Sequence, residues 1–191
     1  MKIKSIIGLC KRSGMLHLIE NDGVQWLSDG YSLYPLFDLP HFDEETICRT
    51  FDISEKKAAK MSIRYDGCPP ASICLWDEVV DEVECEYDSE LFGGVISVQT
   101  SQGVVFIRRD HLSPFGDTDQ DTLRLFERHS PNGSTYFAVK IGFMLAGIVL
   151  PYNCINERFV EKIKAISEQC EIALFNQNGE KINAENADKI G

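Results

Sequence analysis

The stretch from Thr122 to Gln169, TLRLFERHSPNGSTYFAVKIGFMLAGIVLPYNCINERFVEKIKAISEQ, reads as a β-meander that feeds directly into one amphipathic helix. Phe137, Val139 and Ile141 alternate with Tyr136, Ala138 and Lys140, the period of two expected of a strand with one buried and one wet face. Phe143 to Leu150 is apolar at nearly every position, as in a strand covered on both faces. Between the β-like runs, Pro131-Asn132-Gly133-Ser134 supplies the positive φ values of a tight hairpin. Ile141-Gly142 is either a second turn or a bend in one long strand, and Pro151, with no N–H to donate, ends the ladder.

In the helix that follows, Ile155, Phe159, Val160, Ile163, Ile166 and Cys170 form one apolar stripe. Asn156 is the expected N-cap, with Ile155 and Val160 as a staple across it. The expectation is therefore an α+β protein: antiparallel hairpins and a meander, a few short helices, and one amphipathic helix laid on the sheet. Helices are expected over 3–12, 43–51, 54–62 and 155–170.

Working outward to the N-terminus, Ile3 to Cys10 reads as a helix ending near Ser13-Gly14. Met15 to Glu20 and Val24 to Leu27 flank Asn21-Asp22-Gly23, a hairpin signal. Ser28-Asp29-Gly30 then turns the chain into Tyr31 to Leu36, where Pro35 argues for an edge strand. Asp43 caps the next helix, stapled by Phe42 and Ile47, and Ser54 caps the one after. Lys56, Lys57, Lys60 and Arg64 make this pair the most basic stretch of the chain. It invites comparison with a DNA-reading helix pair, against the alternative of a solvated helix face. Gly93-Gly94 opens Val95 to Gln99, and Ser101-Gln102-Gly103 turns it into Val104 to Arg108, another hairpin. One division of the chain is a lobe over 1–66, a meander and helix core over 72–175 and a tail over 176–191; the alternative is a single domain.

With 191 residues and 43% hydrophobic content, the chain is long enough to bury a sizeable core. Its apolar run at Met144 to Leu150 is too short to cross a bilayer, no secretory leader pattern is evident at its start, and cytoplasmic residence is expected. Seven cysteines at irregular spacing suit reduced, mostly buried thiols better than a disulfide framework. Of the eleven net negative charges, eight lie in Asp77 to Glu90, which holds no basic residue. This segment is read either as a solvated acidic surface or as a docking patch for a basic protein partner. Bulk acidity argues against a general coating of nucleic acid, without removing a locally basic groove.

Three constellations have the composition of a site. Asp117, Asp119 and Asp121 alternate like the start of a calcium loop. However, Thr122 stands where glycine is needed and Arg128 where the closing carboxylate belongs. Cys68, Cys74 and Cys85 lack the short pairwise spacing of a zinc site. In Arg108-Arg109-Asp110-His111, the histidine could serve as a general base toward Ser113 or a cysteine. Asp110 and His111, adjacent on a strand, would point to opposite faces, so Asp110 orients His111 only if the strand has already ended. No nucleophile elbow, phosphate loop or zinc-binding His-Glu pair is present, and no catalytic, cofactor or metal residue is assigned.

Two short stretches, Val24-Gln25-Trp26-Leu27-Ser28-Asp29-Gly30 continuing to Tyr34-Pro35-Leu36, and Phe51-Asp52-Ile53, resemble uncharacterised proteins carried by prophages and integrative elements of Gram-positive bacteria. The resemblance covers the first third of the chain and implies a setting among mobile genetic elements, with no catalytic residues to carry over. The leading expectation is a non-enzymatic binding or accessory protein acting through protein contacts, with self-association into a homo-oligomer open. A sliding-clamp-like DNA accessory factor and a hydrolase are the alternatives.

Overall fold

The computed structural model describes residues 2–66, 69–87, 94–116 and 122–187, with side chains up to residue 177. Met1–Tyr152 forms one compact unit and Asn153–Gly191 a second. The expected α+β architecture is present. In chain order the elements are α1 (Ile3–Ser13), β1 (Met15–Asn21), β2 (Val24–Ser28), β3 (Ser32–Pro35), α2 (Glu44–Thr50), α3 (Glu55–Ala58) and β4 (Ser62–Asp66). They continue with β5 (Val83–Cys85), β6 (Val95–Thr100), β7 (Gly103–Arg108), β8 (Leu123–His129), β9 (Thr135–Ile141), β10 (Met144–Val149) and α4 (Glu157–Ala187). Two 3-10 turns, Arg109–His111 and Ser113–Phe115, follow β7.

Among the described residues, eight strands form one sheet in the order β4-β1-β2-β3-β10-β9-β8-β5, and β6 with β7 forms a separate hairpin. Every pairing in the large sheet is antiparallel except β1 with β4. The hairpin signals hold: Asp22 and Gly23 have φ of 50° and 76° between β1 and β2, and Gly133 has φ 81° between β8 and β9. Gly142, at φ 62°, resolves the ambiguity after Ile141 in favour of a turn, with Ile141 paired to Met144. Phe143 is therefore a hairpin tip and 84% exposed, not the first residue of a buried strand.

The period of two divides the core cleanly. Leu16, Leu18, Leu27, Tyr34, Leu125, Phe137, Val139 and Val149 face one side, where they meet Ile6, Ile7, Leu9 and Cys10 of α1 and Ile96, Val98 and Ile107 of the β6–β7 hairpin. Ile19, Trp26, Leu33, Tyr136, Ala138, Leu145 and Ile148 face the other side and are joined by Leu75 and Ile73. A register shift between Leu145 and Gly147 keeps both faces of β10 filled. Gly147 is required at that point, because a Cβ would lie 2.8 Å from the Leu33 carbonyl oxygen and 2.8 Å from the Phe115 ring.

Several expectations need correction. β3 is an inner strand, not an edge: it lies between β2 and β10. Pro35 is tolerated there because β10 pairs only with Ser32 and Leu33, so the residue lacking an N–H falls beyond that ladder. The helix expected over 54–62 is four residues long, Ser54 makes no side-chain cap bond, and the chain from Ser62 becomes a strand parallel to β1. Lys56, Lys57, Lys60 and Arg64 are all exposed, with Arg64 on β4 and not on a helix. Asp43 does cap α2, accepting from Thr46 N at 2.7 Å while Thr46 Oγ1 accepts from Asp43 N, and Phe42 and Ile47 are buried.

The last helix is longer than 155–170 and differs in its burial. Asn156 Oδ1 accepts from Phe159 N at 3.0 Å, as the cap requires. Yet Ile155, Val160, Ile166 and Cys170 are exposed, with only Phe159 and Ile163 half-buried. Within Met1–Tyr152, the helix that supplies most core residues is α1. Cysteine burial is also mixed: Cys10 and Cys85 are buried, Cys48, Cys74 and Cys154 half-buried and Cys170 exposed, all as free thiols.

Phe137→Ala should cost about 3–5 kcal/mol, because it opens a cavity in the middle of the sheet, whereas Ile166→Ala should change stability by no more than about 0.5 kcal/mol. Thermal unfolding of the two variants beside wild type checks the contrast. Native protein treated with a bulky thiol reagent should be labelled first at Cys170 and last at Cys10, whose thiol is pushed far above its usual range by burial and then by the Asp29 charge. Mass spectrometry of a labelling time course reads the order.

Candidate functional site

Two adjacent residues on β8 organise the covers of the sheet. Glu127 and Arg128 point to opposite faces, and both are almost completely buried. Glu127 turns toward the β6–β7 hairpin, where it accepts from Ser101 N at 2.8 Å and Ser101 Oγ at 2.9 Å. Arg128 turns the other way and gathers the segment 74–82. Its Nη1 donates to the carbonyls of Cys74 and Trp76, and its Nη2 to that of Asp77 and to Glu82 Oε2, which also accepts from Nε at 2.8 Å. The other oxygen of Glu82 accepts from Lys140, whose ammonium also lies 4.5 Å from the centre of the Phe126 ring. Arg124, opposite Lys140 in the β8–β9 ladder, pairs with Glu84, and this holds the exposed carboxyl of Glu84 below its usual range.

The acidic segment is therefore not simply a solvated run. Glu82 and Glu84 neutralise a row of basic residues on one sheet face, and Asp77 Oδ1 accepts from Leu145 N at 2.7 Å where the β10 ladder is irregular. Glu78, Asp81 and Glu86 remain exposed, and positions 88–90 lie outside the described residues. Between the acidic side chains the apolar ones point outward: Val80 is fully exposed and Trp76 65% exposed. Val79, Val80, Glu78, Gly142 and Phe143 line one shallow depression over Lys140 and Phe126, so the loop and the β9–β10 tip form a single surface.

The His111 constellation is assembled differently from the sequence expectation. β7 ends at Arg108 and a 3-10 turn carries Asp110 and His111, so the alternation of a strand no longer applies. Asp110 still does not orient the imidazole. It sits 3.2 Å from Arg12 and 3.7 Å from Arg108. The carboxylate that faces His111 is Asp29, with Oδ2 3.5 Å from Nε2, both side chains being nearly inaccessible. Asp29 Oδ1 is held by Tyr31 N at 3.0 Å, Ser32 N at 2.8 Å and Ser32 Oγ at 2.8 Å. Tyr34 donates to the His111 carbonyl at 2.7 Å, and the Tyr31 ring lies parallel to the imidazole at 6.1 Å. Burial lowers the pKa of His111, Asp29 opposes the shift and Arg108 adds to it.

These groups do not form a nucleophile and base pair. The Ser113 hydroxyl donates to the Asp110 carbonyl at 2.7 Å, and Cys10 donates to the Ser28 carbonyl with its thiol held protonated by burial. Asp117, Asp119 and Asp121 lie outside the described residues, as does Cys68. Among the described residues no three His, Cys, Asp or Glu side chains converge as metal ligands, and no helix is long and apolar enough to cross a membrane. No family model, curated protein or solved structure matches the chain.

Sequence reasoning missed Arg128 and Asp29. The signal for the first was a charged pair, Glu127-Arg128, inside a strand of otherwise alternating apolar residues, with a like charge at Lys140 on the next strand; the Asp29–His111 contact, between residues 82 positions apart, had none.

Arg128→Ala should destabilise the protein by about 3–5 kcal/mol, because it strands Glu82 and three carbonyls without their donor. It should also free the segment 74–87. Hydrogen exchange of that segment, read together with thermal unfolding, checks both effects, and Lys140→Met should produce the smaller loss.

Proposed function

We propose that this protein acts by binding another protein, without chemistry of its own, on the surface formed by the loop 76–83 and the β9–β10 tip. The observation that carries the reading is the exposure of Trp76, Val80, Val83, Phe143 and Met144 on neighbouring segments, next to the exposed acids Glu78 and Asp81. Scattered single apolar residues need no explanation, but several large ones presented together on a loop that is itself held by a buried arginine form a prepared contact surface. An apolar centre with an acidic rim suits a segment of a partner that is basic and amphipathic. The partner's cations would meet Glu78 and Asp81, which the internal ion pairs leave to solvent. A setting in a mobile genetic element and a cytoplasmic location belong to the same proposal, on the strength of the N-terminal resemblance and of the free thiols among the described residues.

Trp26 is buried and Trp76 exposed, so Trp26 supplies a constant blue background and a shift of the red part of the emission reports on this surface. Titration with a synthetic amphipathic leucine-lysine peptide should shift the Trp76 emission to the blue, with an affinity that weakens as salt is raised. Phe143→Ser and Val80→Ser should each reduce binding by roughly tenfold, the equivalent of about 1.4 kcal/mol. An equal response to a neutral apolar peptide, or none to the basic one, refutes the reading.

A further inference from the structure

The large sheet has β4 at one end of its strand order and β5 at the other, and the two edges are not alike. Past β5 the chain goes on to bond the β6–β7 hairpin, with Gln99 N donating to the Glu86 carbonyl at 2.9 Å and Tyr87 bridged to Val98. Among the described residues β4 pairs only with β1, and Arg64, Tyr65 and Asp66 are exposed.

The register decides which backbone groups of β4 are already used. Ser62 N donates to the Gly14 carbonyl at 2.7 Å, and in a parallel ladder that direction repeats at every second residue. Ser62, Arg64 and Asp66 therefore turn their N–H and C=O groups toward β1, whereas Ile63 and Tyr65 turn theirs outward. Among the described residues nothing pairs with those outward groups. A row of open backbone groups is a template for another strand, and edges that stay free are commonly blunted by a proline, a bulge or charged side chains. β4 has neither proline nor bulge, and its two charges, Arg64 and Asp66, are opposite in sign and two residues apart. Among the described residues neither of them makes an ion pair.

That spacing selects one partner. When β4 runs antiparallel to a second β4 about a two-fold axis at Tyr65, the two Tyr65 residues exchange N–H···O bonds through their outward groups. Arg64 then lies directly opposite Asp66 of the second copy, and Asp66 opposite its Arg64, on the sheet face away from the Tyr65 rings. An axis at Arg64 instead sets arginine against arginine, and one at Ile63 sets Arg64 against Ser62. Tyr65 is already ordered for the pairing: its hydroxyl donates to Glu20 on the neighbouring strand, and Glu20 Oε2 lies 3.4 Å from His41 Nε2.

We propose that β4 joins β4 of a second copy of this chain, edge to edge, in an antiparallel dimer centred on Tyr65 that continues the sheet across the axis. The contact is between five-residue strands, so the dimer is a reversible one. The loop 76–83 and the β9–β10 tip take no part in it, since β9 and β10 are separated from β4 by β1, β2 and β3.

The test is sedimentation equilibrium of the full chain beside Arg64→Asp, Asp66→Arg and the double swap. Wild type should dimerise with Kd below about 100 μM. Each single reversal turns both symmetry-related pairs from attraction to repulsion and should raise Kd at least about tenfold. The double swap should restore dimerisation. An equimolar mixture of the two single variants should form a one-to-one heterodimer, because each then offers the charge that the other needs. Tyr65→Pro, which removes an outward N–H, should be monomeric with an unchanged circular dichroism spectrum, whereas Tyr65→Phe should still dimerise. Wild type that stays monomeric at about 100 μM, single reversals that dimerise as well as wild type, or a mixture that remains monomeric would each overturn the proposal.

Discussion

The buried guanidinium of Arg128 is the constraint on which the outer half of this fold depends. A charge with no exposed atoms is tolerated only when every donor is used, and here the donors reach three carbonyls and one carboxylate. That requirement draws the segment 74–82 across the sheet, brings Glu82 within reach of Lys140, and leaves the apolar side chains of the same segment facing solvent. Its neighbour Glu127 does the equivalent on the other face by holding the tip of the β6–β7 hairpin at Ser101. One dipeptide in one strand thus fixes two covers, because strand geometry turns consecutive residues to opposite sides.

Much of the local structure was legible in the sequence because it is governed by short-range rules. The Asp22-Gly23 and Asn132-Gly133 turns, the Asp43 cap with its Phe42 and Ile47 staple, and the alternation in β9 each depend on residues within about five positions of one another. Pro35 misled for the opposite reason. Whether a proline falls on a strand edge depends on how far the neighbouring strand extends, and β10 lies more than a hundred residues away in sequence. The apolar stripe of α4 had the period of a packed helix, but period alone does not say what, if anything, covers it.

The candidate sites were less legible still, since each joins distant segments. His111 was visible as a titratable group near a strand end; its carboxylate neighbour Asp29 sits in a β2–β3 turn whose sequence signals only a turn. The acidic run was visible as charge, yet the basic residues that neutralise part of it are spread over β8 and β9 at alternate positions, where they read as ordinary strand surface. A charge run is misread when its counter-ions are in another strand.

The joint between β3 and β10 has a consequence for how the molecule comes apart. The two meanders, β1 to β3 and β8 to β10, meet through only two residue pairs, Leu33 with Ile148 and Ser32 with Val149. Each meander is closed by its own tight turns and can form early, but this seam joins chain segments that are far apart and needs a long loop to be closed first. Its strength comes from what spans it: side chains from both meanders share the same two cores, and Leu150 N reaches back to the Tyr31 carbonyl at 2.9 Å. The sheet is continuous in hydrogen bonding, but at this seam it is held together by the side chains of two shared cores more than by strand pairing.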